Sequence, residues 1–226
     1  MMTHNQRLLM AAKANSIPLA LNAIAFGADV TAQDSFGNNA AMWFGFYNNL
    51  AGVLAIAEKN PHVLTQKNAI SRSAIGELAR QNNYAGVIAC ADLNPESIFE
   101  TAPNGANVAM ALARTNNIEG VLAVAAIAPG LLTAADNDGS TVLHQLLYNC
   151  SLINVERVVR NHPEVLKLNL IGDFIESNIF NTEAMAKYIA ALLNLGFGKP
   201  DNFADALQTI NLTEADISRH LMDGNF

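Results

Sequence analysis

Along residues 48–64 the apolar and polar positions run NNLAGVLAIAEKNPHVL, and the same order returns three times. It recurs as NNYAGVIACADLNPESI at 82–98, as NNIEGVLAVAAIAPGLL at 116–132 and, worn down, as CSLINVERVVRNHPEVL at 150–166. Pro61, Pro95, Pro129 and Pro163 stand 34 residues apart, as do Val53, Val87, Val121 and Val155. Inside each copy the apolar residues fall at helical spacing. They are Leu50, Val53, Leu54 and Ala57, then Tyr84, Val87, Ile88 and Ala91, then Ile118, Val121, Leu122 and Ala125. Shorter apolar segments precede them at about 40–47, 74–81, 108–115 and 142–149, so each period holds two helices. Asn48, Asn82 and Asn116 break each pair, at a bend where asparagine is the best substitute for glycine. The proline forces the residue before it out of the helical region, so the second helix must stop there. Leu64, Ile98, Leu132 and Leu166, three residues past each proline, are expected to pack under the pair. A fixed period of this length marks a stacked repeat array.

The ends of the chain depart from the pattern. Residues 6–14 read as a short helix, and Pro18 suits the start of a second, Leu19 to Phe26, closed by Gly27. The first step, Gly27 to Asn60, is 33 residues and later steps are 34, which predicts loops one residue longer in the later copies. Past 166, Thr182 is a candidate cap for a helix from Glu183 to about Leu195, with a partner near 172–179. Beyond Pro200, Phe203 to Ile210 and Glu214 to Met222 read as short amphipathic helices. Thr213 and Asp216 sit at capping-box spacing before the second.

Two segments carry a family resemblance. GADVTAQD at 27–34 and DNDGSTVLHQLL at 136–147 resemble the end and the start of an ankyrin repeat, and Asp34-Ser35-Phe36-Gly37 opens the second copy the same way. Val142 and Leu147 depart from the family pattern, as does Ser71, which replaces the loop glycine. The resemblance implies an all-α, ankyrin-type solenoid of about five or six helix-turn-helix repeats. They would run at 1–33, 34–67, 68–101, 102–135, 136–169 and 170–196, with a helical C-terminal cap at 197–226. It also implies a non-enzymatic protein–protein interaction module that grips its partner with finger loops and the exposed ends of the first helices. The partner-facing positions carried over are Phe36, Phe46, Tyr47, Arg72, Arg80, Gln81, Arg114, Tyr148, Asn137 and Asp138. Trp43 and Phe44 are read as core, and Phe46 and Tyr47 as divided between core and contact surface. The expected partner is a protein or peptide bearing acidic residues, bound by a monomer in the cytoplasm. The Asn-rich, Pro-interrupted style is similar to ankyrin proteins of intracellular bacteria, so delivery into a host cytosol is a further expectation. A small effector enzyme with activity in the tail at 197–226 and a self-assembling scaffold are the alternatives.

Composition narrows the classes. A net charge of −7 argues against a nucleic-acid binder held by a basic face. Charged residues are 15%, below the usual ~25%, and asparagine supplies much of the polar surface. The longest apolar run, Val121 to Ala128, is too short to span a bilayer, so no membrane insertion is expected. Arg7 ahead of LLMAA faintly resembles a signal peptide, but Lys13 interrupts the run, and the segment reads as a helix. Cys90 and Cys150 show no metal-type or CxxC spacing, which favours a reducing compartment.

No catalytic, metal or cofactor pattern is legible. His4, His62, His144, His162 and His220 form no metal pair, and no P-loop, Rossmann or nucleophile-elbow motif is present. Asp136-Asn137-Asp138-Gly139 starts like a calcium loop, but Leu147 stands where the bidentate Glu is needed, and a tight turn is the expected role. His144 falls at the resemblance's L-H position, which implies a turn hydrogen bond. His62 and His162 are expected to be solvated, and Cys90 to be a small core residue.

Overall fold

The computed structural model describes residues 2–177 and 181–223. Among these, the regular elements are α-helices and short 3-10 turns, apart from an isolated bridge between Thr101 and Asn107. The chain divides into two compact units, Met1–Val142 and Leu143–Phe226.

The first unit consists of four helix pairs. They are α1 (His4–Lys13) with α2 (Ile17–Ala25), α3 (Ala40–Phe46) with α4 (Leu50–Ala57), α5 (Ala74–Arg80) with α6 (Tyr84–Leu93), and α7 (Val108–Arg114) with α8 (Ile118–Ile127). Each pair packs internally. Along the unit, α1, α3, α5 and α7 pack in succession, and so do α2, α4, α6 and α8, giving two helical layers.

The bend inside each pair is left-handed, with φ near +53 to +60° at Asn15, Asn48, Asn82 and Asn116. The asparagine that follows caps the second helix: Asn49, Asn83 and Asn117 accept from the N–H of Gly52, Gly86 and Gly120. Their amides also reach back one repeat. Asn49 donates to Asn15 Oδ1 at 2.6 Å, Asn83 to Asn48 Oδ1 at 2.7 Å, and Asn117 to Asn82 Oδ1 at 2.7 Å. A side-chain ladder thus runs across the pairs.

The buried stripe of the second helices differs from the one the periodicity suggests. Gly52, Val53, Ile56 and Ala57 are buried in α4, and Gly86, Val87, Cys90 and Ala91 in α6. Leu50, Leu54 and Ile88 are only half-buried, and Tyr84 is exposed. The glycines explain the shift, because they let neighbouring elements approach without a side chain between them. A Cβ on Gly52 would lie 2.4 Å from the Phe44 ring, and one on Gly120 2.7 Å from Tyr84 Cβ.

Each helix after the first pair stops before its proline, and a 3-10 turn follows: Pro61–Leu64, Pro95–Phe99 and Pro129–Leu132. Leu64, Ile98 and Leu132 are fully buried beneath the pairs, as expected. The extra residue of the later periods is absorbed ahead of the fingers and does not lengthen them. Every finger is closed by the same bond between residues four apart: Asp34 N to Asn38 O, Asn68 N to Arg72 O, Ala102 N to Ala106 O and Asp136 N to Ser140 O.

First-helix caps repeat as well. Asn39 and Asn107 are buried, cap α3 and α7 through Oδ1, and donate Nδ2 to the carbonyls of Val63 and Leu131. Ser73 holds the equivalent place on α5 with a single 3.4 Å bond from Gly76 N. Ser97, in line with Val63 and Leu131, is fully buried, and its hydroxyl has no partner. Ser71 takes φ +55° where Gly37, Gly105 and Gly139 stand in the other fingers. A left-handed non-glycine residue costs roughly 1–2 kcal/mol, so Ser71→Gly is expected to stabilise the protein by about 1 kcal/mol in denaturant unfolding. An unchanged midpoint would mean that the loop carries no such strain.

The second unit contains α9 (Val142–Tyr148), α10 (Leu152–Asn161), α11 (Leu170–Ser177), α12 (Thr182–Asn194), α13 (Phe203–Thr209) and α14 (Glu214–Asp223). Cys150 supplies its left-handed bend (φ +55°), where the earlier copies have asparagine. A 3-10 turn at Pro163–Lys167 follows α10, but here Val165 is buried and Leu166 only half-buried. The expected partner helix near 172–179 is α11, and its last two expected positions lie outside the described residues. Thr182 is the first residue of α12 and not its cap; Asn181 accepts from Ala184 N instead. Thr213 and Asp216 form the expected reciprocal cap of α14. Among the described residues no helix is long and apolar enough to cross a membrane.

Candidate functional site

α5 and α7 end in Arg80 and Arg114, one repeat apart and both exposed. Beside them the finger at 102–106 and the turn leading into it wall off a cleft of about 640 Å³. Its polar lining includes Arg72, Arg80, Arg114, Glu100, Asn104 and Thr115. The cleft thus gathers three of the seven lysines and arginines of Met1–Val142, the others being Arg7, Lys13, Lys59 and Lys67. Their environments differ. Arg72 is half-buried and sits 3.5 Å from the buried Glu77 carboxylate. Arg80 makes no ion pair or hydrogen bond among the described residues and projects freely.

Glu100 is the one anion lining the cleft. Burial pushes its pKa up, and Lys67 only partly offsets this. The Lys67 ammonium stands 3.3 Å from Glu100 Oε2 but donates its hydrogen bond to the Thr101 carbonyl, which leaves that carboxylate oxygen without one.

One repeat earlier, at the end of α3, lies the aromatic group. Phe46 is 50% exposed and Tyr47 42%, so both present surface and are not core. Phe46 meets Trp43 and Tyr47 edge-on, with centroids 6.0 and 5.2 Å away. Phe44 is fully buried, as expected for core. Trp43, expected in the core, is half-buried and serves a polar node instead. Its indole N–H donates to Asp34 Oδ2 at 3.1 Å, and the Lys13 ammonium lies 5.0 Å over its ring and 2.9 Å from the same oxygen. Burial opposes charge on Asp34, but Lys13, the N–H groups of Asn38 and Phe36, and the Trp43 indole outweigh it and hold the carboxyl below its ordinary range. Lys13 is therefore committed to a structural pair.

The remaining candidate positions are dispersed. Phe36 is 66% exposed on its finger, where its carbonyl accepts from Ala69 of the next finger. Gln81 bridges repeats by donating to the Phe46 carbonyl at 3.0 Å, so its side chain is partly engaged. Asn137 donates its amide to Pro103 O, and its N–H to Asn104 O, tying two fingers together. Asp138 is exposed beside Asp136, whose Oδ1 accepts from Asp138 N and Ser140 N as the expected turn. Tyr148 is 41% exposed on α9 in the second unit, its ring 6.5 Å from that of His144.

Other reactive side chains are engaged or buried. His144 is buried and pairs with Asp173 at 3.3 Å, a tie between α9 and α11 that the sequence comparison with a turn histidine does not foresee. His62 is exposed, whereas His162 is half-buried and contacts Glu164 at 3.2 Å. Burial pushes the Cys90 thiol up to about 12, which leaves it unreactive. Cys150 is exposed, and the Tyr188 phenol is pushed up by burial and by that thiol. No group of three or more His, Cys, Asp or Glu among the described residues is placed to hold a metal ion.

The three arginines and the aromatic pair are legible in the sequence, whereas Glu100 is not. Its signal was the lone acidic residue at the entrance to a finger, visible only once the fold places that entrance in the cleft. A scan against models of known protein families matches none of them, and no curated protein is similar in sequence.

Proposed function

We propose that this chain is an ankyrin-type repeat protein acting as a non-enzymatic interaction module. It holds another protein along the exposed ends of α3, α5 and α7 and the adjoining fingers. The observation that carries the reading is the cleft itself. In a chain of net charge −7, three arginines are concentrated around one opening, next to two half-exposed aromatic rings. Arginine and aromatic residues are the types in which binding energy concentrates. The 34-residue period, the left-handed asparagine bends and the uniform five-residue fingers support the repeat assignment.

The test is affinity capture with the purified protein beside a variant in which Phe46, Tyr47, Arg80 and Arg114 are all alanine. Partners that use this surface are expected to be lost by the variant. Its melting temperature should stay within about 6 °C, since exposed substitutions usually change stability by no more than ~0.5 kcal/mol each. Undiminished capture by the variant would refute the assignment of the surface.

A further inference from the structure

The four fingers are joined in two couples. Between the first (34–38) and the second (68–72), Ala69 N donates to Phe36 O at 2.9 Å and Asn68 Nδ2 to Asn38 Oδ1 at 2.7 Å. Between the third (102–106) and the fourth (136–140), Asn137 N donates to Asn104 O at 2.9 Å and its amide to Pro103 O at 3.3 Å. Both contacts are too close for a side chain. A Cβ on Gly37 would lie 2.9 Å from Ala69 N, and one on Gly105 3.0 Å from Asn137 N. The interface between the second and third fingers lacks both devices. Pro103 stands at the register of Ala69 and Asn137 and has no N–H to give to Ile70 O. Ser71 stands at the register of Gly37 and Gly105 and shares their left-handed backbone, with φ +55°, so its Cβ points at the neighbouring finger. Among the described residues no hydrogen bond joins these two fingers. The cleft of about 640 Å³ opens at this interface, with Arg72 on one side and Pro103 and Asn104 on the other.

At the opposite end the same two repeats are doubly tied. Asn82 Oδ1 accepts from Asn117 Nδ2 at 2.7 Å and from Thr115 Oγ1 at 2.9 Å, whereas Asn15 and Asn48 each accept one such bond. Between the two ends, α5 and α7 pack directly. Near the finger bases the link is Lys67, which donates to Thr101 O at 3.3 Å and stands 3.3 Å from Glu100. Its long, flexible stem follows a change of spacing at little cost. Two packed blocks joined along one edge and free along the other move by rotation about the joined edge. We propose that the array hinges between α5–α6 and α7–α8, pivoting at the Asn82 bend and parting the second and third fingers, so that the cleft is a jaw of variable width. The hinge belongs to the free protein and does not depend on what enters the cleft.

Spin labels on the first and fourth fingers, at Ser35→Cys and Asp138→Cys, test this by pulsed electron–electron distance measurement on the full chain. Both positions are exposed. Cys150→Ser removes the exposed native thiol, and Cys90 is buried. Three steps of about 8–10 Å put the labels roughly 24–30 Å apart. Ser71→Gly with Pro103→Ala copies the closed interfaces into the open one, and it is expected to narrow the distance distribution about twofold. Ala69→Pro removes the corresponding N–H between the first two fingers and is expected to broaden it. An equal width before and after the double substitution overturns the hinge. A distribution that Ala69→Pro leaves unchanged overturns the account of what frees the fingers.

Discussion

Replacing Asn39 with alanine is expected to destabilise the protein by about 2–4 kcal/mol, a loss of roughly 6–12 °C in melting temperature. Asn39 is completely buried, and its amide makes three bonds. Oδ1 accepts from Met42 N at 2.9 Å, which caps α3, while Nδ2 donates to Val63 O at 2.9 Å and to Gln66 Oε1 at 2.8 Å. Loss of a cap alone costs ~1 kcal/mol. Leaving a buried carbonyl and N–H without partners adds about 1–3 kcal/mol, and this is the larger contribution. Asn107→Ala should behave alike, since Asn107 joins Met110 N to Leu131 O in the same way. The converse substitution separates this account from a general sensitivity of cap positions. Ser73 is too short to make the second bond, so Ser73→Asn should raise stability by supplying it to the carbonyl of Ser97. A denaturant series in which Asn39→Ala costs less than about 1 kcal/mol would show that the reach across the pair contributes little.

Gly52→Ala sets two effects of opposite sign against each other. Helix propensity alone favours alanine by about 1 kcal/mol. Against it, the new Cβ would lie 2.4 Å from two ring atoms of Phe44, which is itself fully buried. Overpacking of this kind typically costs 1–3 kcal/mol, occasionally more, and the ring has no solvent-facing space to move into. A net loss of about 2 kcal/mol is expected. Gly76→Ala is the control, because the nearest atom to its Cβ is Ser73 Oγ at 3.3 Å, and there propensity should win. Thermal melts of the two variants should move in opposite directions; a rise for both would mean that Phe44 yields easily.

The helices were legible because their determinants are local. Asparagine at 48, 82 and 116, and proline at 61, 95 and 129, each dictate backbone geometry within a few residues. The buried face of the second helices was not, since apolar periodicity gives no weight to a glycine. Gly52, Gly86 and Gly120 are buried because of what lies opposite them, and that is a long-range fact. Trp43 shows the same limit from the other side. Its size suggests core, yet its partners are Asp34, nine residues earlier, and Lys13, thirty residues earlier. In the cleft, Arg80 and Arg114 could be placed from their register alone, whereas Glu100 needed the fold.

The third repeat collects the weaker choice at several positions the other repeats fill better: Ser71 for glycine, Ser73 for asparagine, and Ser97 for an apolar residue. In a quasi-one-dimensional array, where each pair touches only its neighbours, such a link sets where the array comes apart. Opening of α5 and α6 would leave α1–α4 on one side and α7–α8 on the other, and the Arg80–Arg114 pair would cease to exist as a unit. A segment bridging Phe46 to Arg114 would bind only the closed form and so hold the seam shut. Its affinity would then report the closing of a fault line as well as its own contacts.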